Sequence, residues 1–323
     1  MQKNIVRQRA LAIINPISGI GSKKNIPLRL KKAFQDEKWD VDIVFTEAAG
    51  HATELAKQAI TDGRTRIVAV GGDGTINEIG RALVYSRIEL AIVPCGSGNG
   101  LARDLHIPMD TGKSIKMAAR QRSKLIDACQ ANEHIFFCTC GVGFDAQVSH
   151  RFAQETLRGP LTYVKDGLEE LLKFKPQTYR LQIDDKETEF KAFLITCANA
   201  SQYGNNAYIA PKAFLDDGWF DLTVLKAFTP FDIGTLAIQL FTKQIDKNGR
   251  IQTARAQQAT IWREEPGPMH IDGEAVDAGC KIDFKVLPSA LYIVAPTTFK
   301  KSLMSIQPYS FMMEILNALS KIR

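Results

Sequence analysis

A chain of 323 residues is long enough for two domains with separate cores, and 45% apolar with 24% charged residues is the balance of an ordinary globular protein. A net charge of +6 suits a polyanionic nucleotide or an anionic bilayer surface without singling out either, and nucleic acid is not among the partners expected. Six scattered cysteines form no C-x-x-C pair, no apolar run reaches the ~20 residues of a membrane span, and MQKNIVRQRA lacks a signal peptide's apolar core; a zinc knuckle, a membrane-crossing helix and export are therefore set aside, and a cytoplasmic location is expected.

Residues 10–14 form an apolar run that predicts a first buried strand, closed by Asn15-Pro16-Ile17-Ser18-Gly19. Pro16 and Gly19 suit a turn, and Ser18 with the freed N–H groups can face an anion. Ile26, Leu30, Ala33 and Phe34 then give a helical stripe, and residues 41–45 a second strand ending at Thr46. Open α/β sheets place their ligands at such carboxyl ends. Gly50-His51-Ala52 leads into a helix with Ala52, Leu55, Ala56 and Ala59 facing inward, where His51 is expected to cap or pack.

The sequence RIVAVGGDGTINE, residues 66–78, organises the rest. Ile67 to Val70 have no helical period and predict a buried parallel strand. Gly71 and Gly72 let the backbone bend, and Ile76, Ile79 and Leu83 announce a helix. A strand that turns on glycine and leaves as a helix aims N–H groups and the positive helix end at one spot, which suits phosphate. The turn is not a Walker loop, because no Gly-Lys-Ser/Thr follows. It is not a dinucleotide fingerprint either, because Asn77 stands at the third glycine position. Asp73 facing a polyphosphate would be repelled, so it is assigned to Mg²⁺ or to a supporting donor network, with a purely structural role as the alternative. Residues 91–93 lead into Pro94-Cys95-Gly96-Ser97-Gly98-Asn99-Gly100, another strand entering a glycine loop. Four successive strands thus end on small, polar or glycine-rich loops along one sheet edge.

Residues 113–121 read as a helix and 125–129 as a strand. Beyond about residue 130, strands predominate, at 134–140, 178–183, 190–197, 222–225, 281–287 and 291–294, with helices near 161–174 and 231–241. An αβ half followed by a mainly antiparallel half predicts two domains, 1–130 and 131–300, with a cleft between them. Phe311, Met312, Ile315, Leu316, Leu319 and Ile322 lie on one face of a terminal helix, about 305–323, expected to dock on the first domain or to meet a bilayer.

Asn15 to Gly19, Thr46 with Gly50-His51-Ala52, Gly71-Gly-Asp-Gly-Thr-Ile-Asn-Glu78 and Gly96-Ser-Gly-Asn99 resemble, in order, the motifs of the diacylglycerol kinase catalytic family. That family includes bacterial lipid kinases and sphingosine kinases. Gly141-Val-Gly-Phe-Asp145, Ala210-Pro-Lys-Ala213, Asp217-Gly218 and Asp272-Gly-Glu274 extend the resemblance over nearly the whole chain. It implies a fold of α/β plus β: an N-terminal three-layer α/β nucleotide-binding domain, like those of NAD kinases and phosphofructokinases, and a C-terminal β-sandwich-like domain, with ATP between them. Asn15, Pro16, Ser18, Gly19, Thr46, Gly71, Gly72, Asp73, Gly74, Thr75, Asn77, Glu78, Ser97 and Asn99 would surround the nucleotide. Glu274 would take the proton from the lipid hydroxyl, with Asp272 supporting it or binding metal. A structural Mg²⁺ would sit on the Asp217 carboxylate and the carbonyls of Phe214 and Trp219. Gly100 follows Asn99 where bacterial diacylglycerol kinases usually carry Asp, a form closer to sphingosine kinases.

The expected activity is ATP-dependent phosphorylation of a membrane lipid, diacylglycerol first and a sphingoid base second. An NAD kinase-like enzyme and a non-catalytic nucleotide or lipid sensor are the rivals. The cofactors expected are ATP and Mg²⁺. The expected partners are the lipid, the inner membrane face met peripherally and, as an open option, a second copy of the chain. A carboxylate such as Glu274 suits an alcohol if burial raises its pKa. Asp145, Asp127 and Asn199 are candidates for a shared polar network.

Overall fold

A computed structural model describes residues 8–19, 23–154 and 174–296, with the side chains of 151–154 left aside. Nearly all of the helix expected at 161–174, and all of that at 305–323, lie outside the described residues. The chain divides into two compact units. One holds the described residues up to Ala128 together with 287–296, the other Cys129–Val286. The sequence limits of 1–130 and 131–300 miss that return, which arises because Tyr292 and Ile293 pair in parallel with Glu89 and Leu90.

In the first unit, β1 (Gln8–Ile14), β2 (Trp39–Phe45), β3 (Arg66–Gly71) and β4 (Glu89–Pro94) form a parallel sheet in the order β2-β1-β3-β4. Every residue of β3 is buried, as expected of a central parallel strand. The register sets Phe45, Ile14, Val70 and Val93 in one row, so the four strands end level. Between strands run α1 (Ile26–Asp36), α2 (His51–Thr61) and α3 (Asp73–Leu83), followed by the short α4 (Gly100–Asp104) and α5 (Thr111–Arg120). Ile26, Leu30 and Phe34 of α1 join Ile115, Ala118 and Ala119 of α5 over Ala12, Ile14, Val68, Val70 and Val93. The alternate positions Ile13, Ile67 and Ala69 are equally buried, toward α2 and α3. Arg66 is buried at the amino end of β3. Its guanidinium donates to Glu89 at 2.8 and 2.6 Å and lies over the Trp39 ring at 4.4 Å.

In the second unit, β7 (Thr139–Gly143), β10 (Leu194–Ala198), β11 (Phe220–Leu225), β12 (Ile251–Ala256), β14 (Gly267–Ile271) and β15 (Glu274–Ala278) form an antiparallel sheet in the order β12-β11-β10-β7-β14-β15. The other sheet has β8 (Gln177–Ile183), β9 (Lys186–Ala192), β13 (Gln258–Arg263) and the first half of β16 (Lys281–Val294), with β5 (Ser123–Ala131) and β6 (His134–Phe136) paired beside it. Phe136, Tyr179, Phe220, Ile261, Met269 and Ile282 fill one core between the two sheets, which makes this unit a β-sandwich. α6 (Phe144–Gln154) follows β7, and α7 (Ile233–Phe241) follows β11.

Candidate active site

The level ends of the four strands bring their loops together. Asn15 Nδ2 donates to Thr75 Oγ1 at 3.0 Å, tying the first loop to the start of α3. The Asn15 Oδ1 accepts from Ile17 N at 3.1 Å, closing an Asx turn that leaves Pro16 exposed. Glycine is required at two contacts. A Cβ on Gly96 would lie 2.6 Å from the Gly72 Cα, so these two backbones run against each other with no room for side chains. A Cβ on Gly19, which adopts φ +70°, would strike the Cys95 carbonyl. Gly72 precedes α3, whose first turn carries no side-chain cap. Bare helix N-termini beside glycine favour the close approach of an anion.

Asp73 spends its carboxylate inside this cluster. Its Oδ2 accepts from Asn99 N at 2.8 Å and its Oδ1 from Gly100 N at 2.7 Å, so it holds the Gly96–Asn99 loop in place. Asn99, in a left-handed conformation, accepts from Gly96 N at 2.9 Å and donates to Gly96 O at 2.7 Å, leaving Ser97 exposed at the loop tip. Gly71 packs under Thr75, and Gly74 is half-buried in the same turn. Thr46 is buried with its N–H on Ile14 O at 2.9 Å, in line with the strand ends. Asn77 is buried within α3. Glu78 turns elsewhere: its oxygens accept from Gly50 N at 2.9 Å and Ala52 N at 3.2 Å, where the carboxylate complements the α2 N-terminus.

Sequence reasoning passed over Lys23, which follows the first loop without any motif. Its ammonium donates to Asn15 O at 2.6 Å, to Ser18 Oγ at 2.7 Å and to Ser18 O, and desolvation lowers its pKa. Arg103 Nε donates to Gly98 O at 2.9 Å. Two cations therefore brace the loops expected to meet phosphate.

In the second unit, β14 and β15 are joined by Asp272-Gly273, both at positive φ (49° and 89°), a two-residue hairpin turn suited to Asp-Gly. The Asp272 carboxylate accepts from Phe137 N at 3.0 Å, Cys138 N at 2.8 Å and Thr139 N at 3.1 Å. The turn is thereby pinned to the backbone leading into β7. Glu274 opens β15 directly after it, opposite Ile271, and is exposed.

Asp145, at the start of α6, gathers a buried cluster. Its Oδ2 accepts from Thr196 Oγ1 at 2.9 Å and Tyr203 OH at 3.1 Å and lies 3.2 Å from His270 Nε2. Gly141 leaves the space, since a Cβ there would sit 2.3 Å from that oxygen. Burial and the neighbouring Asp145 push the Tyr203 phenol well up. Asn199 bonds instead to Phe137 O at 2.9 Å, and Asp127 accepts from Ser289 N at 2.6 Å.

The Asp217 turn does not fit a divalent ion as it stands. Asp217 Oδ1 accepts from Trp219 N at 3.1 Å, its Oδ2 is paired with the Arg255 guanidinium, and Gly218 O accepts from Gln257 Nε2 at 3.2 Å. Phe214 and Trp219 are exposed beside it. Among the described residues no group of three His, Cys, Asp or Glu side chains is placed to hold a metal.

Residues 9–131 match the profile of the diacylglycerol kinase catalytic domain, and residues 138–295 that of the YegS C-terminal NAD kinase beta sandwich-like domain. The diacylglycerol kinase of Bacillus subtilis is 30% identical over 274 residues, a match that spans 83% of this chain and 90% of that one. The chain belongs to the diacylglycerol kinase family. This lipid kinase is also similar to the diacylglycerol kinase of Staphylococcus carnosus, 25% identical over 273 residues, 83% of this chain and 89% of the relative. A crystal structure of a diacylglycerol kinase from Bacillus anthracis shares the fold, with a TM-score of 0.71 at 21% identity over 90% of this chain and 97% of that one. As a member of a kinase family, the enzyme is a phosphotransferase that uses ATP. No helix among the described residues is long and apolar enough to cross a membrane.

Proposed function

We propose that this lipid kinase transfers the γ-phosphate of ATP to the free hydroxyl of diacylglycerol, giving phosphatidic acid and ADP. The observation that supports this acceptor most is the match to a chain named diacylglycerol kinase over 90% of that relative's length; the two family profiles, over residues 9–131 and 138–295, take in the strand-end loops and the Asp272 hairpin. In the proposed reaction the loops around Gly72 and Gly96 hold the β- and γ-phosphates through backbone N–H groups, with the first turn of α3 facing the charge. Lys23 adds positive charge behind the Asn15–Ser18 loop. Glu274 accepts the hydroxyl proton as the lipid oxygen attacks the γ-phosphorus and the bond to the β-γ bridging oxygen breaks. Asp272 acts as a positioning residue for Glu274 by fixing the turn. Mg²⁺ accompanies ATP as its complex and supplies charge neutralisation there.

A sphingoid base is the second acceptor, because Gly100 gives only a backbone N–H, donated to Asp73 at 2.7 Å, where an Asp side chain is usual in bacterial diacylglycerol kinases. The lipid is reached by peripheral contact with the inner membrane face. Phe231, 95% exposed before α7, and Ile238, 45% exposed on a helix without any charged residue, support that contact. The test is a panel of diacylglycerol, monoacylglycerol, sphingosine and ceramide in mixed micelles with ATP, with mass detection of phospholipid. Phosphatidic acid as the dominant product supports the reading; phosphorylated sphingosine alone replaces the acceptor, and no lipid product at all overturns it.

A further inference from the structure

The Asp217 turn carries its own cation. Asp217 precedes β11, and β11 pairs antiparallel with β12 so that Asp221 stands directly opposite Arg255. That register is fixed by burial of Phe220 and Leu222 on β11 and of Ala256 on β12, and slipping it by one residue would turn these side chains out of the core. Arg255 is therefore held at the turn by the fold. Its Nη2 meets Asp217 Oδ2, its Nε lies 3.8 Å from Asp221 Oδ2, and its guanidinium sits 5.7 Å from the centre of the Trp219 ring. Asp221 is 93% buried by its 7% exposure, and its Oδ2 has no hydrogen-bond partner, so the nearby guanidinium is its compensating charge.

The family resemblance places a Mg²⁺ on this carboxylate. Mg²⁺ demands near-octahedral oxygen ligands at about 2.0–2.1 Å and holds its waters tightly. A guanidinium already on Asp217 Oδ2 blocks one side of such a shell and its positive charge repels the ion. We propose that in this chain Arg255 takes the place of the structural divalent ion, bridging Asp217 and Asp221 so that the turn is held without Mg²⁺. A consequence follows for the variant lacking the guanidinium: two adjacent carboxylates, one buried, would then attract a divalent ion.

The test is thermal unfolding of nucleotide-free and lipid-free protein in EDTA and in millimolar MgCl₂ at matched ionic strength. Wild type is expected to melt at the same temperature in both. Arg255→Gln is expected to melt lower in EDTA and to recover saturably with Mg²⁺. A saturable Mg²⁺-dependent rise in wild type that Asp217→Asn abolishes would overturn the proposal. Asp217→Asn also serves if Arg255→Gln does not fold, because on the proposal its melting temperature falls equally with and without Mg²⁺. Neither ATP nor lipid is present, so the outcome is separate from whether the chain phosphorylates a lipid.

Discussion

Replacing Asp272 by Asn tests how the Glu274 hairpin is held. Asn tolerates the left-handed conformation of position 272 (φ 49°), so the turn itself should survive. What changes is the acceptor set. Oδ1 takes the N–H groups of Cys138 and Thr139 at 2.8 and 3.1 Å, and Oδ2 takes that of Phe137 at 3.0 Å. The Asn oxygen can keep the first two, but its amide then points N–H at the Phe137 N–H. One charge-assisted bond is lost, roughly 1.5–3 kcal/mol, and the two that remain weaken because the acceptor is no longer ionised. The sum is about 2–4 kcal/mol, which for a protein of this size is a fall in Tm of about 4–16 °C at roughly 2–4 °C per kcal/mol. Urea unfolding followed by circular dichroism reads the stability, and steady-state kinetics should show kcat falling more than KM for ATP changes. A loss below about 0.5 kcal/mol with unaltered kcat would refute the reasoning, since that is the range of an ordinary surface substitution.

Gly96→Ala places a methyl 2.6 Å from the Gly72 Cα and must push two loops apart; a strain of about 1–3 kcal/mol predicts a KM for ATP raised roughly 5- to 150-fold. Lys23→Met removes the ammonium from Asn15 O and Ser18, and nucleotide titration should show weaker ATP binding with little change in Tm. Phe231→Ser withdraws a nearly fully exposed ring; if it enters lipid, sedimentation with anionic vesicles should fall about tenfold or more, at roughly 1.5–3 kcal/mol for a buried Phe. Burial pushes the Asp221 carboxyl up to about 6, against the opposing pull of Arg255. Its folded value lies above an unfolded value of about 3.9, so its contribution to stability is full below that pH and is lost as pH rises through about 6. Asp221→Asn should therefore gain stability relative to wild type between pH 4 and 6.5, read from urea midpoints across that window.

The parallel sheet and its loops were legible because its inner strands β3 and β4 are short apolar runs, buried on both faces and closed by glycine or a polar turn, while β2 at the edge is half-exposed and is marked by its apolar residues 41, 43, 44 and 45. The β-sandwich was legible in kind from the change of rhythm after residue 130. Its detail was hidden where strands break without punctuation. Residues 190–197 read as one strand, yet the chain divides there into β9 and β10 around Phe193, and 281–287 with 291–294 form a single strand bent at Ser289 (φ 49°). In the site, the glycines could be seen because a backbone that touches backbone admits no other residue. The duties of the acids could not. Asp73, Glu78 and Asp272 all look like phosphate or metal residues in sequence, but each carboxylate here accepts backbone N–H groups, from Asn99 and Gly100, from Gly50 and Ala52, and from Phe137 to Thr139. Those partners lie up to 135 positions away, and no local pattern reports them.

The most direct test of the account is transfer of label from γ-³²P-ATP to diacylglycerol by wild type and by Glu274→Gln, with ATP binding measured on the same preparations. The account predicts labelled phosphatidic acid from wild type, a loss of about a hundredfold or more in kcat for Glu274→Gln, and nucleotide affinity unchanged within about twofold. Full transfer by Glu274→Gln would contradict it.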